Sequence, residues 1–183
     1  MLLALRREVV LSSVSWLVLG SLLNIGAVPR PSGLGIQDYG GGVKTLALCP
    51  STPNCVSTAE EANDPQHYIP PWTYNPQDGP RGRQPVSQEQ AMQELRGVVE
   101  KLSPDGFTPK VVKQDADFLY VEYSSPLLGF VDDVEFWFKP GPNYRVEYRS
   151  ASRIGESDGN INRKRIRAIR QELEKKGWSS VGF

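Results

Sequence analysis

The chain predicts an α+β domain in which an antiparallel sheet of three or four strands carries two helices packed on one face, preceded by a long Pro/Gly-rich arm. Three observations carry that expectation. Residues 87 to 102 repeat apolar side chains at three- and four-residue steps; residues 108 to 150 alternate aromatic and β-branched side chains with polar ones; residues 161 to 173 return to the helical step. With 183 residues, 39% of them hydrophobic, there is material for one core of ordinary size. The organisation predicted is residues 1–28 as an export signal or membrane anchor, 29–86 as an irregular arm, and 87–183 as the compact domain.

The N-terminal address rests on Arg6, Arg7 and Glu8, followed by twenty uncharged residues from Val9 to Val28. That length is enough to span a bilayer. Four serines and an asparagine dilute the stretch, and Pro29, Arg30 and Pro31 follow at once, so a cleaved signal and a retained anchor both fit. The arm holds ten of the fifteen prolines and seven of the seventeen glycines, which interrupt it too often for a helix of three turns. Its apolar residues Leu46, Leu48, Val56, Tyr68, Ile69, Trp72 and Tyr74 are too numerous for a solvated linker, so parts of it should lie on the domain or on a partner. Cys49 and Cys55 fit either a disulfide over a short loop or two reduced buried thiols. His67 has no neighbouring cysteine or second histidine and is expected at the surface.

Ser87 with Gln90 three residues on forms a capping-box pattern, after which Ala91, Met92, Leu95, Val98, Val99 and Leu102 draw one apolar face. Strands are predicted at Thr108–Gln114, Phe118–Tyr123, Val131–Phe138 and Asn143–Ser150. The Lys139-Pro140-Gly141-Pro142 turn puts Val134, Phe136 and Phe138 on the same face as Tyr144, Val146 and Tyr148. Asp133, Glu135 and Trp137 share the other face with Arg145, Glu147 and Arg149. A turn centred on Gly141 sets Asp133 opposite Arg149, and the next permitted register sets Glu135 there. The last helix follows Asn160, with Ile166, Ile169 and Leu173 inward and Gly177 closing it.

The candidate site is the polar cluster formed by Asp132, Asp133 and Glu135 with Arg149, Ser150, Ser152, Arg153, Asp158, Asn162, Arg163 and Arg165. One reading is scaffold: Asp158 or Asn160 caps the helix while Arg149 and Arg153 pair with the strand carboxylates. A second reading is an anion or small-ligand pocket at the helix start, using Arg153 and Arg163. A third is a protein-docking surface.

The chain resembles the uncharacterised family known as domain of unknown function 1499. The likeness is carried by Cys49-Pro50-x-x-Pro53-Asn54-Cys55-Val56-Ser57, by Ser125 with Gly129-Phe130-Val131-Asp132-Asp133-Val134-Glu135-Phe136, and by Arg149-Ser150-Ala151-Ser152-Arg153-Ile154-Gly155 through Ser157-Asp158 to Asn162-Arg163-Lys164-Arg165. What the resemblance implies is a compartment: the plastid members look like thylakoid-lumen proteins, and the paired arginines resemble the lumen-targeting half of a presequence. It brings no catalytic residues.

Composition narrows the function classes. Formal charge is zero and the pI near 6.6, against a nucleic-acid binder, although the regions differ: residues 1–28 sum to +1, 29–148 to −6 and 149–176 to +5. One histidine and two cysteines cannot make a four-ligand Cys/His zinc site. No Gly-x-Ser-x-Gly elbow and no phosphate-binding Gly-rich loop is present. No metal and no cofactor is therefore expected, and no catalytic residue is assigned. The expectation is a non-catalytic accessory or assembly protein that binds a photosynthetic complex of the thylakoid membrane through its arm or exposed sheet face. The alternatives are a binder of a small anionic or amphipathic ligand at the Arg-rich helix start, and an uncharacterised enzyme. Membrane contact would run through residues 9–28 if they are uncleaved.

Overall fold

The computed structural model describes residue 26 and residues 28–180; the address expected in residues 1–28 thus falls almost wholly outside the described residues. The expected sheet of three or four strands with two helices is too small. The described chain holds a seven-stranded antiparallel sheet, a separate two-stranded sheet and three helices. In chain order these are β1 (Ile36–Asp38), β2 (Lys44–Leu46), β3 (Cys55–Ser57), β4 (Trp72–Thr73), α1 (Pro80–Arg83), α2 (Gln88–Val99), β5 (Thr108–Gln114), β6 (Phe118–Ser124), β7 (Val131–Phe138), β8 (Arg145–Ser152), α3 (Ile161–Glu174) and β9 (Ser179–Ser180). The large sheet runs β5-β6-β7-β8-β4-β9, with β3 also paired to β8, and β1 pairs only with β2.

The four strands expected from alternation are β5 to β8. The other three come from segments of two or three residues, too short to show a period of two. Two of them, β3 and β4, belong to the proline-rich arm, so the arm completes the sheet rather than preceding it. The reason is visible at Trp72: β4 places it between β8 and β9, where its ring lies 4.2 Å from Tyr148 and 5.9 Å from Phe136. Without this strand the aromatic centre of the core would open to water. Burying a side chain of that area is among the largest single apolar contributions available.

α2 starts as its sequence requires. Ser87 Oγ accepts from the Gln90 amide at 3.1 Å, and Gln90 Oε1 accepts from the Ser87 amide at 3.0 Å. Ala91, Met92, Leu95, Val98 and Val99 are buried against the sheet face that carries Val134, Phe136 and Phe138. Just beyond α3, Gly177 has a positive φ that lets the chain turn back into β9; a side chain there would also meet the Arg81 Nε at 2.9 Å. Arg81 in turn binds Glu94 at 2.7 Å, and Glu94 accepts from the Trp178 indole at 2.8 Å.

Between β7 and β8 the pairing sets Glu135, not Asp133, opposite Arg149. The connection is centred on Pro142, one residue later than the Gly141-centred turn. That keeps the paired side chains of β7 and β8 on their expected faces while moving each partner by two; Tyr144, expected on the core face, instead precedes β8 with a positive φ and is exposed.

Candidate functional site

The eleven polar residues singled out from the sequence do not form one cluster. Adjacent residues of a strand point to opposite faces, so Asp132 lies under the helices while Asp133 and Glu135 lie on the other side of the sheet.

On the helix side, Arg165 is fully buried. It donates to Asp132 Oδ2 at 2.6 Å, to Asn162 Oδ1 at 2.8 Å and to Ser150 Oγ at 3.2 Å. Its guanidinium lies 4.6 Å from the Tyr123 ring centre and 5.0 Å from that of Phe107. The Asn162 amide reaches Asn54 O, Ser152 Oγ and Asp158 Oδ2 at 2.8 to 3.0 Å. Asp158 caps α3: Oδ2 accepts from the Asn162 amide at 2.8 Å and Oδ1 from the Asn160 amide at 2.9 Å. Asn160 stands in the left-handed region and makes no side-chain cap. This network ties the Cys49–Cys55 loop, β8 and the start of α3 together.

On the opposite face, Arg153 is the hub. It pairs with Asp133 at 2.7 Å, with Glu122, and with the Tyr120 hydroxyl at 3.1 Å, and it donates to Val28 O at 3.1 Å. Arg30 closes the network from outside with a 2.7 Å contact to Glu122. Burial and the Asp133 hydrogen bond push the Tyr120 phenol well above its ordinary value. For Glu122 burial pushes upward, but hydrogen bonds from Arg30 and Arg153 outweigh it and the carboxyl ends below the ordinary range. Glu135 behaves differently. It is fully buried, Arg149 stays 3.6 Å away, and the Gly35 amide donates to it at 2.5 Å; burial outweighs both and raises its carboxyl to about 7.

The arm covers this charged face. Leu34 and Leu46 pack with Phe118, Tyr120 and Trp137 into a second small core. Cys49 and Cys55 are bridged. His67, expected at the surface, is buried: Nδ1 lies 2.8 Å from Asp64 Oδ2 and Nε2 3.1 Å from Thr52 O, inside the disulfide loop. The His67 hydrogen bond lowers the Asp64 carboxyl. Sequence reasoning missed Tyr120, Glu122, Arg30 and Asn54 as network members. The parity of β6, which puts Tyr120 and Glu122 on the Asp133 face, was the available signal for the first two.

Arg163 belongs to neither network. It lies on the outer side of α3, donating to Gln66 O at 2.7 Å, and lines a groove of about 500 Å³. Around the groove stand Arg163, Lys164, Arg167 and Arg170 over Ile69 and Ile166, with no carboxylate in the lining. Lys164 and Arg167 are exposed. A wider cleft of about 630 Å³ beside α2 is lined by Glu94 and Glu172 as well as Lys101 and Lys176, so it has no net preference of sign. Among the described residues no group of three or more His, Cys, Asp or Glu side chains is placed to hold a metal ion, and no helix is long and apolar enough to cross a membrane.

The model of a family described as protein of unknown function (DUF1499) matches residues 45–173. The chain belongs to the DUF1499 family. No curated protein and no solved structure matches it. The DUF1499 segment takes in the whole Arg165 network and the α3 groove, whereas Val28, Arg30 and Gly35, which cover the Arg153 and Glu135 side, precede it.

Proposed function

We propose that this DUF1499 protein is a non-catalytic binding domain that holds an anionic, amphipathic molecule in the groove along α3. The observation that supports this reading is the lining: Arg163, Lys164, Arg167 and Arg170 stand over two isoleucines with no carboxylate among the lining residues, and only at the edge does Arg170 meet Glu174, at 3.7 Å. Arginine and lysine heads supply donors for a phosphate, sulfate or carboxylate, while their methylene stems extend the apolar floor for an alkyl group. The strand carboxylates, by contrast, are consumed in ion pairs, which suits scaffold. Titration of ¹⁵N-labelled protein with dodecyl phosphate tests the reading. Amide shifts should concentrate at residues 160–170 and around Ile69 and vanish in a Lys164→Glu/Arg167→Glu variant. Shifts scattered over the surface, or unchanged in the variant, would reject it.

The setting we propose is a compartment reached by export, and for a plastid-bearing source the thylakoid lumen. The signal-like order of residues 1–28 supports it, as does the Cys49–Cys55 bridge, since disulfides persist in oxidising compartments. An accessory role beside a photosynthetic membrane complex is the second reading. The arm and charged sheet face cover each other, so its contact moves to the basic face of α3, and an acidic protein surface would be the partner; crosslinking from a label at Arg167 in native membranes tests it.

A further inference from the structure

We infer that the loop from Ser125 to Val131 seats this domain on a lipid bilayer surface, next to the uncharged N-terminal segment. None of its seven residues is charged. Leu127 is 73% exposed, Leu128 43% and Phe130 37%, so three large apolar side chains stand in water on one short connection. Exposed apolar patches of this kind mark contact surfaces.

The loop is shaped rather than slack. Ser125 N donates to Phe130 O at 2.8 Å, Phe130 N donates to Ser125 Oγ at 2.9 Å, and Pro126 rests beside Gly106. Its apolar side chains are therefore held outward while the backbone closes on itself.

What identifies the occupant is where the N-terminal segment arrives. Gly26 belongs to the twenty uncharged residues from Val9 to Val28, and its amide donates to Leu128 O at 2.8 Å. It lies so close to the loop that a side chain there would meet the Phe130 backbone nitrogen at 2.6 Å. Gly26, near the end of an uncharged sequence long enough for a bilayer, thus lies directly against the leucines that are most exposed among the described residues. By the β6–β7 and β7–β8 registers, the loop also lies at the end of the sheet where β8 leaves for α3. The opposite end carries the Pro140–Asn143 turn. Leucine and phenylalanine side chains gain free energy by entering the headgroup–acyl boundary, and the uncharged backbone loop carries no ionic desolvation cost.

The test uses the full chain. Its only two cysteines are bridged, so a single introduced cysteine is the one free thiol. Leu127→Cys, Leu128→Cys and Asn143→Cys are each labelled with an environment-sensitive fluorophore and mixed with phosphatidylcholine vesicles, with and without phosphatidylglycerol. The labels at 127 and 128 should shift to the blue and be quenched by bromines on the acyl chains, while the label at 143 keeps its aqueous emission. Protein that floats with the vesicles while labels 127 and 128 stay aqueous overturns the inference. So does protein that fails to float, or equal insertion of the label at 143.

Discussion

Replacing Glu135 by glutamine should remove most of the pH dependence of stability between about pH 4.5 and 7. In the folded chain burial raises this carboxyl from its ordinary 4.5 to about 7, against smaller opposing effects of the Gly35 amide and Arg149. Between those two values the folded protein holds a proton that the unfolded chain has released, so stability falls as pH rises. The contribution is fully present below the unfolded value and gone above the folded one. At roughly 1.4 kcal/mol for each unit, the difference amounts to about 3 kcal/mol at most, and about 2 to 3 kcal/mol between pH 5 and pH 8. Glu122 and Glu94 are lowered instead, so their stabilisation is lost only in more acid solution, outside this window. Urea unfolding at pH 5 and pH 8 measures the effect. The parent protein should lose stability across that interval and Glu135→Gln should stay nearly level, its carbonyl still accepting from Gly35. Equal slopes in the two proteins would refute the reasoning.

Arg153→Ala strands Asp133 in a buried site and should cost about 3 kcal/mol in chemical denaturation, whereas Lys164→Ala, on the exposed side of α3, should stay within about 0.5 kcal/mol. Arg165→Ala leaves Asp132 buried without its cation and should cost about 3 to 5 kcal/mol, with Asp132→Asn in the same chain recovering part of the loss. Reducing Cys49–Cys55 should lower stability by about 2 kcal/mol, since the loop is short, and thermal scans with and without reductant compare the two states.

Long periodic stretches were legible in the sequence: the capping box at Ser87, the parity of β7 and β8, and the inward residues of α3 all stand where pattern places them. The arm was not. Residues 55–57 and 72–73 form strands only because β8 and Trp72's aromatic neighbours supply the partners, and nothing local in two or three residues announces that. The polar cluster was legible as a set of residue types, and strand parity put Arg149 on the face of Asp133 and Glu135, but parity alone did not choose between those two partners; the register centred on Pro142 gives Arg149 to Glu135 and leaves Asp133 to Arg153. The burial of Arg165 was not legible, because its cage of Phe107 and Tyr123 comes from distant elements. His67 was misread in part for the same reason: Asp64 is a local partner three residues away, but Thr52 reaches the other ring nitrogen only when the disulfide loop folds over it.

The α3 groove is tested most directly by native mass spectrometry of full-length protein purified gently from its own membranes, beside the Lys164→Glu/Arg167→Glu variant. The parent protein should carry an added mass that dissociates as an anionic, alkyl-bearing molecule, and the variant should arrive without it. A parent protein with no bound mass and no response to dodecyl phosphate, or a variant that retains the same molecule, would contradict the assignment of this groove as the binding site.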